Sequence, residues 1–305
     1  MSIKVSIIIV SWNTREILLN CLKSVFQETQ LPFEVIVVDN DSNDASADAV
    51  ADTYPDAKII RNSTNLGFAS ANNIGIESAT GEFVLFLNPD TIVLDRAIDK
   101  MVAFMEKNPG IGILGPHTLN ADGLSTQNTV IFIPKLSGVF HTHLPFWRLI
   151  PGWNPRLSGE VSWRKTGPVE IVKGSCMLVK KDLLHQLGGM SEKHFMYSEE
   201  YDLCTRAADL AYPTWYFDDA KIIHLGGQAT VQNSSDMVYA MLEAYTDVFR
   251  SHNPNSSVRL FHLFLAIGST WRWLAWALMS LIPSKSNLAR IRMSEHASTV
   301  RYLCF

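Results

Sequence analysis

Three acids crowd into four positions, Glu199, Glu200 and Asp202, at what reads as the start of a helix. Acids there favour the helix dipole, which accounts for one or two of them. Crowding also raises the pKa of one member, as a general base requires. A second set of polar residues closes successive apolar runs: Ser11-Trp12-Asn13-Thr14, Asp39-Asn40-Asp41-Ser42, Arg61-Asn62 and Asn88-Pro89-Asp90. In open parallel sheets ligands bind outside the carboxyl ends of strands, so these residues share one candidate edge. Singly, Asn13 or Asp44 reads equally well as a helix cap; recurrence along one edge is what favours a binding site. No GxGxxG follows the first apolar run and the chain has no P-loop signature, so phosphates must be held otherwise. A divalent cation on oxygen ligands would do it, and Asp90 sits where such an ion is needed. His224 ends the run Ile222-Ile223 just before Gly226-Gly227. A lone histidine of this kind is more often a structural residue than a ligand.

These residues need a scaffold. The first 115 residues alternate short apolar runs with segments of helical period, the pattern of strands joined by crossover helices in a mostly parallel sheet. Val5 to Val10, Val35 to Val38, Lys58 to Ile60 and Phe83 to Leu87 read as strands. Asn13, with Glu16 three residues on, reads as the cap of a helix carrying Leu18, Leu22, Val25 and Phe26 on one face. Asp95 to Lys107 is a second amphipathic helix. Six prolines between Pro116 and Pro168 suggest a long loop-rich insertion over residues 115–168, a binding element or lid. Order returns with a strand at Cys176 to Val179, helices at Lys181 to Leu187 and Glu199 to Ala208, and a strand at Thr214 to Phe217.

The chain has 305 residues, 47% of them hydrophobic and 18% charged, which excludes a disordered or fibrous protein. A net charge of −4 gives no reason to expect a nucleic-acid partner. Four cysteines without a CxxC pair suggest neither a zinc site nor a disulfide framework, which fits a reducing compartment. No secretory signal precedes the first strand, so a cytoplasmic location is expected.

The motifs, taken in order, resemble those of family 2 glycosyltransferases of the GT-A fold over about residues 4–230. They are Val5 to Asn13, Val37 to Asp44, Asn65-Leu66-Gly67-Phe68 with Asn72-Asn73-Ile74-Gly75, Leu85 to Asp90, Gly174-Ser175-Cys176-Met177, Glu199 to Cys204, and His224. Within the family the sequence is similar to bacterial rhamnosyltransferase-like enzymes of surface polysaccharide synthesis. The resemblance implies an α/β fold with a Rossmann-like, mostly parallel central sheet flanked by helices and followed by a C-terminal helical tail. It implies a catalytic domain over 1–235, with a donor half (1–114) and an acceptor half (115–235), and a tail over 236–305. It gives Ser11, Asn13, Asp39 and Asn40 to the base and ribose of a dTDP- or UDP-sugar, and Asn62, Asn65, Gly67, Asn73, Asn88 and Asp90 to further donor contacts. Gly67 and Gly75 would permit close approach of backbone to ligand. The family's Asp-X-Asp corresponds to Asn88-Pro89-Asp90, so one acid is missing and Mg2+ or Mn2+ would depend on Asp90, His224, the diphosphate and water. Glu200 maps onto the catalytic base of an inverting transfer, with Glu199 and Asp202 orienting the helix, contacting the acceptor or tuning the base. A non-catalytic sugar-nucleotide or carbohydrate-binding module on the same fold is the alternative. The departure at Asn88 supports that alternative, and the retained acids oppose it. A nucleotide-sugar pyrophosphorylase ranks last, because residues 5–15 offer no Gly-rich basic loop.

From Val258 onward the charge is +5, which leaves −9 on the rest. Leu260 to Ile282 is nearly all apolar, yet holds Arg272 near its middle. At about 100° per residue, Arg259, His262, Ser269, Thr270, Arg272 and Ser280 share one side, and Leu260, Phe261, Phe264, Ile267, Trp271, Leu274, Leu278 and Met279 the other. With Trp273, Trp276, Lys285, Arg290 and Arg292, this reads as an amphipathic helix lying on an anionic membrane; a helix packed on the catalytic domain or on a dimer partner, and a true span, are the alternatives. Gly268-Ser269-Thr270 marks a candidate break. The expected partners are therefore a sugar nucleotide, a lipid-linked saccharide acceptor and the inner membrane surface.

Overall fold

The computed structural model describes residues 2–143, 165–226, 234–282 and 286–304. Among these, 2–131 and 165–226 form one compact unit, and 132–143, 234–282 and 286–304 a second. Pro145, Pro151, Pro155, Gly227 and Lys285 of the sequence reading lie outside the described residues.

The first unit is built on strands β1 (Val5–Ser11), β2 (Phe33–Asp39), β3 (Lys58–Arg61), β4 (Phe83–Leu87), β5 (Thr91–Leu94), β6 (Ile113–Leu119), β8 (Gly167–Val169), β10 (Cys176–Lys180) and β11 (Thr214–His224), with a small ladder of β7 (Val130–Ile131) and β9 (Ile171–Val172). The main sheet runs β3-β2-β1-β4-β10-β6-β11-β5, with β8 on β11. β3, β2, β1 and β4 are mutually parallel, and β10 inserts antiparallel between β4 and β6. Strand order reverses at β1, whose neighbours are β2 and β4, and a reversal point of this kind opens a crevice at the strand ends. β1, β2 and β4 read as continuous apolar runs because helices cover both faces of the sheet. Those helices are α1 (Arg15–Glu28), α2 (Ser46–Thr53), α3 (Phe68–Ser78), α4 (Ala97–Lys107), α6 (Lys181–Leu187) and α7 (Glu199–Asp209). Ile7, Ile9, Leu22, Val37, Leu85, Met101 and Leu178 sit fully buried in one core.

Three expectations are corrected here. The cap of α1 is Thr14, not Asn13, and its side chain makes no capping bond. Instead Asp44, from the loop after β2, accepts the Arg15 N–H at 2.8 Å and also bonds Ser46 at the start of α2, so one carboxylate closes two helix starts. Second, residues 113–119 are not loop but a fully buried strand in the sheet. Pro116 is tolerated because β11 bulges opposite it: the pairing jumps from Phe217↔Pro116 to Lys221↔His117. Third, β11 continues to His224, seven residues beyond the end read from the sequence.

The second unit holds α5 (Leu136–His143), α8 (Ser234–His252), α9 (Val258–Met279) and α10 (Ser286–Cys304). Its core is Val139, Leu242, Phe249, Phe261 and Leu265, with the Phe249 and Phe261 rings stacked at 4.1 Å. α9 is continuous through Gly268, which does not break it: a Cβ there would lie 2.5 Å from the His143 Cβ, so this glycine lets α5 and α9 touch. The inward side of α9 also carries its polar residues. Ser269 is buried, Arg272 donates to the Thr142 carbonyl at 3.1 Å, and His262 bonds Thr246 at 3.0 Å. No helix among the described residues is long and apolar enough to cross a membrane.

Candidate active site

Parallel register brings the ends of β1, β2 and β3 side by side, with Ser11 opposite Asp39 and Asp39 opposite Arg61. Ser11 Oγ bonds Thr14 Oγ1 at 2.9 Å. Asn13 takes a left-handed backbone at φ 52° and is clasped by the next loop: its N–H donates to Ser42 Oγ at 2.9 Å, and its Oδ1 accepts from Asn43 N–H at 2.7 Å. Asp39 is buried, with Oδ2 accepting from Ser42 N–H at 3.4 Å and Oδ1 bonded to nothing in the protein. A buried carboxylate oxygen without a partner is costly, and a ligand N–H or O–H at this edge would relieve it.

Asn40, Asn62, Asn65 and Gly67 are also brought together, but on one another. Asn40 Nδ2 donates to Asn65 Oδ1 (2.7 Å) and the Gly67 carbonyl (3.2 Å), and Asn40 Oδ1 accepts from Asn62 Nδ2 and Leu66 N–H, both at 3.0 Å. Asn73 turns elsewhere, accepting from Met190 N–H at 2.8 Å and donating to the Met190 carbonyl and Glu192. At Gly67, φ is +85° and a Cβ would fall 2.3 Å from the Phe195 carbonyl oxygen; at Gly75 one would fall 2.5 Å from Ile8 Cγ2. The close approach both glycines permit is thus to protein. Together, Gly67, Phe68 (N–H to Phe195 O, 2.9 Å) and Asn73 pin the 189–195 segment that leads to the acid cluster.

Past that segment, Tyr197 and Ser198 are both left-handed, at φ 73° and 69°, a costly pair for non-glycine residues that turns the chain sharply into α7. Glu199 is 9% exposed and Glu200 half-buried. Burial raises both carboxyls above the usual range; the Glu200 charge raises Glu199 further, while the Lys173 ammonium opposes the rise at Glu200. Both carboxyls therefore resist ionisation, and a charge on Glu200 makes that of Glu199 harder still. Asp202 is apart from them, paired with Arg206 Nε at 2.7 Å. Arg206 also holds the Leu187 and Gly189 carbonyls, so Asp202 orients the helix.

Asp90 and His224 meet. Asp90 is buried, and its Oδ1 lies 3.2 Å from His224 Nε2, brought there by the pairing of β5 with β11. His224 Nδ1 lies 2.7 Å from Gln127 Oε1, while the Gln127 amide nitrogen faces Asn120 Oδ1 and the His224 carbonyl at 3.4 Å. This arrangement places the proton on Nδ1 and turns the Nε2 lone pair toward the carboxylate. Two acceptors so placed are satisfied by a shared proton or by a cation. Asn88 Oδ1, two residues before Asp90, is likewise buried without a protein partner. Among the described residues no group of three or more His, Cys, Asp or Glu could hold a metal, so the candidate ligands here are this pair. That fits Mg2+ or Mn2+, which keep water and take substrate phosphates beside one or two side chains.

Sequence reading missed Gln127 and Lys173. One ladder positions both: Lys173 N–H donates to the Thr129 carbonyl at 2.9 Å, and Val130 pairs with Val172. The 173–175 turn also meets the Asp90 loop, since Asn88 N–H donates to the Ser175 carbonyl at 3.0 Å. A lone lysine after the run Val169 to Val172, directly before Gly174-Ser175, was the available signal; Gln127 offered none.

A mixed, largely parallel sheet with nucleotide-type loops on one edge, a carboxylate–imidazole pair and a desolvated acid pair beside it is the architecture of a GT-A glycosyltransferase. The chain belongs to glycosyl transferase family 2, whose pattern matches residues 6–188. It is 28% identical to the N-acetylglucosaminyl-diphospho-decaprenol L-rhamnosyltransferase of Mycobacterium tuberculosis H37Rv, over 92% of this chain and 91% of the relative. It is 27% identical to the low-salt glycan biosynthesis hexosyltransferase Agl10 of Haloferax volcanii, over 66% of this chain and 61% of that one. Among solved structures it resembles the mannosyltransferase PcManGT of Pyrobaculum calidifontis in complex with GDP-Man and Mn2+, with a TM-score of 0.60 and 17% identity over 99% of this chain and 86% of that one.

Proposed function

We propose that this glycosyltransferase moves a sugar, L-rhamnose being the best single assignment, from a dTDP- or UDP-linked donor to a lipid-linked saccharide during surface polysaccharide synthesis. The transfer inverts the anomeric centre and takes place at the cytoplasmic face of the membrane. The observation that carries this reading is the acid pair: Glu199 is buried, Glu200 is half-buried beside it, and the Lys173 charge opposes the rise that burial gives Glu200. The mycobacterial relative, a rhamnosyltransferase of N-acetylglucosaminyl-diphospho-decaprenol, supports rhamnose and a lipid diphosphate acceptor.

The steps follow from the groups present. Asp39 Oδ1 accepts a hydrogen bond from the donor's base or ribose. Asp90 and His224 would hold Mg2+ or Mn2+ against the diphosphate. When bound, the ion offsets the charge that develops on the leaving nucleoside diphosphate. Glu200 takes the proton from the acceptor hydroxyl as that oxygen attacks the anomeric carbon from the face opposite the leaving group, and the bond from that carbon to the diphosphate oxygen breaks. No second protein acid is required, because the leaving group needs no proton.

The test is release of nucleoside diphosphate from dTDP-, UDP- and GDP-sugars by the purified chain with manganese or magnesium. Slow donor hydrolysis with one base preferred supports the enzyme. Binding without hydrolysis of any donor assigns the fold to a non-catalytic module instead.

A further inference from the structure

One helix of the C-terminal unit buries one apolar stripe and leaves a second one exposed. α9 turns Phe261, Leu265, Gly268, Ser269 and the guanidinium of Arg272 toward its own unit. Its outer face carries Leu260, Leu263, Ile267, Trp271, Leu274 and Leu278, which are between 40% and 70% exposed. At about 100° per residue these six fall within an arc of roughly 80°, nearly opposite the buried stripe. A helix that belongs wholly to a water-soluble surface buries its apolar stripe. This one buries Phe261 and Leu265 together with Gly268, Ser269 and the Arg272 guanidinium, and shows water a second, unbroken apolar ridge, so the ridge is built to be covered.

The charge around it says by what. α9 contains no acidic residue, and Arg259 at its start, with Arg290, Arg292 and Arg301 of α10, is exposed. From Val258 onward the chain carries +5. A second copy of the same ridge would bring a second set of arginines against the first, whereas a surface of anionic lipid headgroups pairs with them. Trp271 and Trp273, both about half or one-third exposed, suit the boundary between headgroup and acyl chain. No helix among the described residues is long and apolar enough to span, so the ridge fits a helix lying in the interface plane.

We infer that the Leu260–Leu278 ridge of α9 is an interfacial docking surface that inserts into an anionic membrane, with the arginines of α9 and α10 drawn to its headgroups. Its purpose rests on the lipid-linked acceptor reading above, since it would hold the enzyme where such acceptors lie. Its test does not.

The full chain is floated with vesicles of phosphatidylcholine alone and with phosphatidylglycerol added. Wild type should float only with the anionic vesicles. Ile267→Glu combined with Leu274→Glu should cut the bound fraction about tenfold or more. Arg259→Glu with Arg290→Glu should do the same, each arginine near an anionic surface being worth a roughly fivefold factor. All six side chains of the ridge are outward, so both variants should keep the wild-type circular dichroism and the rate of donor hydrolysis. Unchanged flotation of the ridge variant would overturn the inference. So would a wild-type dimer that the ridge variant dissolves while neither protein floats, which assigns the ridge to a second copy. If no donor is hydrolysed by any form but flotation follows the pattern above, the catalytic reading fails and the docking surface stands.

Discussion

Asp90 Oδ1 and His224 Nε2 stand 3.2 Å apart, and the Nδ1 of that histidine is held by Gln127. One residue follows β4 and the other ends β11, so only the antiparallel β5–β11 pairing brings them together. In the function proposed above this pair would hold the metal, with the remaining positions left to the donor's diphosphate and water.

Asp90→Ala should therefore weaken nucleoside diphosphate binding in manganese by tenfold or more while leaving metal-free binding nearly unchanged. Gln127→Ala, which frees the imidazole to rotate, should cost about 10–100-fold in metal affinity, as loss of an outer partner does elsewhere. Calorimetric titration with and without manganese measures both. Equal affinities for wild type and Asp90→Ala in manganese count against the pair as a metal site.

Glu200→Gln should leave donor affinity intact and lower transfer by about 10²–10⁴-fold, the usual worth of a positioned base. Lys173→Met tests the electrostatics separately. Removing the ammonium leaves only the backbone hydrogen bond to oppose burial at Glu200, so a larger share of the base is protonated at acid pH. The acid limb of kcat/KM should move to higher pH, with turnover falling more in acid than in alkali. A pH profile that only drops in height would make Lys173 a structural residue.

Much of this site was readable before any coordinates, for a physical reason. β1, β2 and β4 are short apolar runs because they are covered on both faces, and the polar residues that close such runs must lie at the sheet edge. Ser11, Asp39 and Asp90 follow from that alone, whereas Glu199 and Glu200 stand out only as acids crowded at a helix start. What was not readable depends on partners distant in sequence. β6 looks like loop because Gly115, Pro116, His117 and Thr118 have poor strand character, and only its place between β10 and β11 makes it a strand. Asn40 and Asn73 look like ligand residues because an exposed amide and a spent one have the same letter. Their bonds to Asn62, Asn65 and Met190 tie them into the protein, which the sequence could not display. The apolar side of α9 was legible as a periodicity, but not that two of its eight residues, Phe261 and Phe264, would pack on Phe249 and Phe140.

The tether at Asp44 predicts a stability effect without a catalytic one. Its burial opposes ionisation, but bonds from Ser46 and from the Arg15 N–H bring its pKa below the usual range. A depressed carboxyl contributes stability that is present above its unfolded pKa and is lost as pH falls through the folded one. Asp44→Ala removes the acceptor at the start of α1 and should cost about 1–2 kcal/mol, as cap removals do. Thermal melts at neutral pH should show a lower Tm, and the gap to wild type should close in strong acid. A gap of the same size at both would mean that the carboxylate charge is not what holds the two helix starts.

Glu199 predicts the opposite dependence. Its pKa is raised, first by burial and then by Glu200, so the folded chain keeps a proton there that the unfolded chain releases at ordinary carboxylate values. Between those two points the folded state binds more protons, and stability falls as pH rises. Glu199→Gln keeps the shape and removes the charge. It should leave Tm near wild type in mild acid and raise it by a few degrees at about pH 9, where wild type must bury a second charge beside Glu200. The rise at Glu200 comes from burial and not from Glu199, so the acid limb of kcat/KM should stay where it is in the Glu199→Gln enzyme. Finding the higher Tm together with a shift of that limb to lower pH would mean instead that Glu199 is already charged where Glu200 titrates.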